Sequence, residues 1–102
     1  MSGIANPYRY QYETVAVSQT GQVLGGTGAT GDYVQRLIIN TITVATAGVT
    51  LIDGSTSIVI QTAASGVIGV QSVEIGVASV SGAWSVTTGA GATVVAVGIF
   101  SA

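Results

Sequence analysis

Short runs of Val, Ile and Thr, cut by glycine-bearing turns roughly every ten residues, leave this chain few choices of fold. β-Branched side chains are stiff at χ1 and suit a pleated strand better than a helix. No segment sustains a helical period. The glycine-rich stretch 25–31 runs straight into the most regular of these runs, residues 33–44, and reads as a corner feeding a central strand. The pattern predicts an all-β fold of about eight strands in an antiparallel sandwich, jelly-roll-like and without substantial helix. At 102 residues one such domain fits. Residues 1–12 read as an extended N-terminal arm and 13–102 as the β-sandwich domain.

Local signals place the pieces. A first strand is expected over residues 10–18, a turn at Thr20-Gly21 and a short strand over 22–24. If strand geometry holds from Asp32, then Asp32, Val34 and Arg36 share a face, and the two charges can bridge locally or reach a partner chain. Asp53-Gly54 is a hairpin-turn signal between strands 49–52 and 57–61. Gly69 marks a bulge or a close approach of backbones. Val73, Ile75 and Val77 alternate with Glu74, so one face is buried and one wetter. Two short strands are expected around 78–80 and 83–87, with Trp84 as a core or corner anchor. Residues 94–100 are almost continuously apolar, which predicts a strand buried on both faces.

Charge is scarce. The chain has two Arg and four carboxylates, Arg9, Glu13, Asp32, Arg36, Asp53 and Glu74, where an ordinary domain is about a quarter charged. A surface so poorly charged is expected to be covered by other subunits, which makes a homo-oligomer or lattice component the leading expectation. There is no Lys, His or Cys, so thiolate nucleophiles, imidazole bases and the common zinc ligands are excluded together. A net charge of -2 with two Arg provides no basic patch for a phosphate backbone, and no nucleic-acid partner is expected. Mean hydropathy is +0.69, yet no apolar run reaches the length of a membrane-spanning helix, so no membrane partner is expected either. The N-terminus lacks the basic start and apolar run of a signal peptide, and synthesis in the cytoplasm is the expectation.

Gly26, Gly28 and Gly31 match the dinucleotide fingerprint G-x-G-x-x-G, with Asp53 near the position of a ribose-binding acid. The fingerprint requires a helix opening at its end to receive pyrophosphate, and β-formers follow instead. No cofactor is expected, nor a metal. Asp32 and Asp53 are the only conceivable pair of catalytic carboxylates, and a glycosidase pair must converge across a cleft at roughly 5–10 Å. No catalytic residue is assigned and the chain is not expected to be an enzyme. A carbohydrate-binding module needs exposed aromatic faces flanked by amides and acids; beyond the N-terminal tyrosines the aromatics are Tyr33, Trp84 and Phe100.

Tyr8, Tyr10 and Tyr12 recur at a spacing of two, which places all three rings on one face of a strand. One reading is an edge strand covering the domain's own core. The sharper reading is a partner-binding arm formed by Tyr8, Arg9, Tyr10 and Tyr12, because Tyr brings large contact area and is enriched in interface cores.

The run from Val23 to Tyr33, VLGGTGATGDY, continuing to Arg36-Leu37, resembles small structural proteins of tailed bacteriophages. Gly82 to Ala90, GAWSVTTGA, and a closing strand containing Val95-Ala96-Val97-Gly98 add to the likeness. The resemblance covers residues 23–100 and leaves the tyrosine arm outside it. It implies a β-sandwich virion protein, a trimeric capsid decoration or cement protein bound to the major capsid protein or another virion protein. Head-fibre and tail-fibre components are the alternative stations. It carries over no catalytic residues.

Overall fold

The computed structural model describes residues 10–102. Its strands are β1 (Gln11–Val15), β2 (Gln22–Val23), β3 (Tyr33–Thr41), β4 (Val49–Asp53), β5 (Thr56–Gln61), β6 (Gly69–Ala78), β7 (Trp84–Thr88) and β8 (Ala92–Ile99), with a single 3-10 turn at Val44–Thr46. Two four-stranded antiparallel sheets result, the first ordered β1-β8-β3-β6 and the second β2-β7-β4-β5. The run-and-turn pattern is thus realised as an all-β sandwich.

The pairs β1 with β8, β2 with β7, β3 with β6 and β4 with β5 nest inside one another. The chain is therefore one long hairpin ribbon, rolled so that successive pairs fall alternately into the first and second sheets, which is the jelly-roll path. The tip of the ribbon is the turn predicted from Asp53-Gly54. Asp53 pairs with Thr56, and Gly54 takes φ +59 at the first position of the two-residue loop. A Cβ at Gly54 would lie 2.6 Å from the main chain of Ser81, so both backbone angle and space select glycine.

Period-two alternation fills the space between the sheets. Val34, Leu37 and Ile39 of β3, Val49 and Leu51 of β4, Trp84 and Val86 of β7 and Val94 and Ala96 of β8 form one buried core. Burying each large aliphatic side chain contributes about 1.5–3 kcal/mol. Trp84 is the anchor expected, 1% exposed, and its Nε1 donates to the Asp32 carbonyl at 2.8 Å.

Five local expectations are corrected. Strand β8 is buried on one face only: Ala92, Val94, Ala96 and Gly98 face the core, while Thr93, Val95 and Val97 are half-buried on the outside. Among the described residues no element covers the first sheet's outer side, and the flanking strands β1 and β3 account for their partial cover. Asp32 and Arg36 do not bridge, because the register of β3 shifts between Val34 and Arg36, and Arg36 meets Glu74 instead. On β6 this irregularity falls at Ile75 and Gly76, not at Gly69, which opens the strand. It also turns Val77 outward, although Val73 and Ile75 pack on the core as their alternation predicts. Residues 78–80 form no separate strand: Ala78 ends β6, and residues 79–83 turn the chain into β7.

Candidate functional site

The carboxylates are committed to the chain's own donors. Asp32 accepts from Ser101 Oγ at 2.7 Å, Ser101 N at 2.9 Å and Ala29 N at 3.0 Å. Asp53, buried at the tip of the ribbon, accepts from Val80 N and Ser81 N, both at 3.0 Å. The amide of Val80 is the main cause that holds the Asp53 carboxyl below its ordinary pKa, outweighing the opposing effect of burial, and Ser81 and Gly82 add to it. Glu13 takes Gln22 Nε2 at 2.7 Å and Gly25 N at 2.8 Å, tying β1 of the first sheet to β2 of the second. The Asp32–Asp53 candidates therefore sit at one end of the sandwich as clamps on neighbouring turns. Among the described residues, no three of His, Cys, Asp and Glu gather as a metal site requires.

The glycine fingerprint is a cradle for the chain's own tail. Gly28 N donates to Ser101 O at 3.1 Å and Thr27 Oγ1 to Ala102 O at 3.1 Å. A Cβ on Gly25 would overlap the Ser101 carbonyl oxygen, and one on Gly26 would lie 2.7 Å from the Ala102 carbonyl carbon. The residues that follow are strand β3, so no helix opens at the end of this loop.

Of the aromatics open to a ligand in the sequence reading, Trp84 and Phe100 are buried. Tyr33 stands on the outer face of the first sheet together with Tyr10 and Tyr12. Tyr8 and Arg9 lie outside the described residues. Tyr12 is 73% exposed and opposes Val97 in the β1–β8 ladder. Tyr10 stacks on Tyr33 with ring centroids 6.0 Å apart, and the Tyr33 hydroxyl donates to Gln35 Oε1 at 2.7 Å. Gln35 Nε2 donates to Glu74 Oε2 at 3.2 Å, and Arg36 Nε lies 3.3 Å from Glu74 Oε1. Partial burial, then Tyr10 and Glu74, raises the pKa of the Tyr33 phenol, which stays protonated as the donor to Gln35. Spacing revealed the Tyr10–Tyr12 face; its meeting with Gln35, Arg36 and Glu74 comes from strand order and the β3 bulge.

A second surface is aliphatic. Thr41 pairs with Gly69, which brings the ends of β3 and β6 side by side, and exposed Ile42, Val67, Ile68 and Val70 flank that pair. Strand β6 is also a ten-residue sheet edge on which Glu74 is the only charged side chain. Edges of this kind, without Lys or Pro to blunt them, are open to pairing. No described helix is long and apolar enough to cross a membrane. No protein-family model, curated protein or solved structure matches this chain.

Proposed function

We propose that this chain is a structural assembly subunit: a virion protein of tailed-phage type that forms a homo-oligomer, a trimer, and decorates the capsid by binding the major capsid protein. The single observation that supports this reading most is the fate of the charges. Asp32, Asp53 and Glu13 are spent on the chain's own amides and hydroxyls, and Arg36 and Glu74 face each other. Among the described residues the carboxylates are thus turned onto the chain's own donors or onto Arg36, while Ile42, Val67, Ile68 and Val70 stand in solvent together at one end of the sandwich. Apolar surface of this kind, contiguous and poorly charged, is what association buries.

The test is co-sedimentation of the purified chain with capsid shells of the phage that encodes it, comparing the wild type with Ile68→Ser/Val70→Ser. Binding by the wild type and a loss of about tenfold or more in the variant is the expected result. Equal recovery of both with the shells removes the aliphatic surface from the docking role. No recovery of either removes the capsid.

A further inference from the structure

The outer face of the first sheet has a composition that the aliphatic surface lacks. One row of the ladders runs Tyr12, Val97, Arg36, Glu74 across β1, β8, β3 and β6. Three strand spacings of about 4.8 Å make that row about 14 Å long, enough for two to three sugar rings. Tyr12 at one end offers an open ring face. Val97 forms a half-buried apolar floor, and Gln35, Arg36 and Glu74 at the other end supply amide, guanidinium and carboxylate groups already held by hydrogen bonds and the ion pair.

We infer that this face binds a neutral oligosaccharide laid across the strands, with one sugar stacked on Tyr12 and the hydroxyls of the next taken by Gln35, Arg36 and Glu74. A saccharide presents an apolar C–H face and an edge of hydroxyls, and the row presents an apolar ring followed by fixed donors and acceptors in the same order. Neutrality follows from the ion pair: Arg36 and Glu74 already compensate each other, and a charged sugar would gain one of them only by competing with the other, whereas a neutral one leaves the pair intact. A protein partner fits less well, since interface cores are depleted in Glu, and here Arg36 and Glu74, with side chains 43% and 63% exposed, stand in the row itself. The site is a shallow face, so single-site affinity is weak, with Kd on the order of 1 mM, and repetition of subunits would multiply it. The inference stands on the geometry of this face and does not require the capsid assignment.

The experiment is a ¹H–¹⁵N titration of the full chain with three probes, cellohexaose, maltohexaose and N-acetylchitohexaose. The expected result is a saturable shift of the Tyr12, Arg36 and Glu74 amides with at least one probe. Tyr12→Ala and Glu74→Gln should each weaken it about tenfold, and Val59→Ser on the second sheet should leave it unchanged. Both test positions are exposed, and circular dichroism identifies any variant that fails to fold; Glu74→Gln then carries the comparison. The inference is overturned if no probe shifts these amides at about 10 mM, or if both folded variants bind like the wild type. It is also overturned if the same amides shift with protein concentration alone, which assigns the face to a second copy.

Discussion

The two ends of the sandwich solve one problem with different chemistry. Each must satisfy main-chain groups where strands stop and turns begin. At the end that holds the ribbon tip, carboxylates do this: Asp32 gathers residues 29 and 101, and Asp53 gathers Val80 and Ser81. At the opposite end the turns are held by neutral groups. Gly89 N donates to Gly48 O at 2.8 Å, Gly91 N to Thr46 O at 3.0 Å, and Ile42 N to Gly91 O at 2.7 Å. Gln61 Nε2 reaches the Ala47 carbonyl at 2.6 Å and Thr41 Oγ1 at 3.1 Å, both within the core. Carboxylates gather several donors at once, while backbone-to-backbone contact needs the close approach that glycine permits. Spending acids on the first task ties them to the chain's own groups, and that links the fold to the proposed assembly role.

The largest effect is expected where the carboxylate end meets the core. Trp84→Ala removes the largest buried side chain and frees the Asp32 carbonyl, and should cost about 3–5 kcal/mol in denaturant unfolding. A cost under about 1 kcal/mol would mean that Trp84 does not anchor this end. At the neutral end, a Cβ on Gly89 would overlap the Thr46 carbonyl oxygen, and Gly89→Ala is expected to cost about 1–3 kcal/mol. Unchanged stability would show that this close approach relaxes freely.

Acid should separate the two ends. Because its main-chain donors favour the charged form, Asp53 has a folded-state pKa below its ordinary value of 3.8. The stability it contributes is present above the unfolded value and is lost as pH falls through the lowered folded value. Unfolding midpoints measured between about pH 6 and about pH 2 should therefore fall less steeply for Asp53→Asn than for the wild type. In the same range, protection of the Val80 and Ser81 amides should fail before that of Gly89 and Gly91. Simultaneous loss would contradict the contrast between ends. The smallest effect belongs to the surface ion pair: Arg36→Gln should change stability by about 0–1 kcal/mol, because both side chains keep much of their surface in solvent.

Much of the fold was legible where the signal is local. The Asp53-Gly54 turn, the inward Val73 and Ile75 on either side of Glu74 and the strand after the glycine corner all depend on neighbours within a few residues. What escaped depends on distant ones. The one-sided burial of β8 follows from a sandwich having only two layers. The β3 bulge, which parts Asp32 from Arg36, has no residue signature at Gln35. The glycine fingerprint takes its meaning from Ser101 and Ala102, which close on it from the far end of the chain. The tyrosine face was half visible: the spacing of Tyr10 and Tyr12 gives one side, but Gln35 and Glu74 are 39 residues apart in sequence and meet only through the β3–β6 ladder.

The central claim is that a surface with so few charges, most of them engaged by the chain's own groups, belongs to an assembly. The direct measurement is the native mass of the purified chain by size-exclusion chromatography with light scattering across a dilution series. A discrete trimer that persists on dilution is the predicted result, and a monomer at every concentration would contradict it.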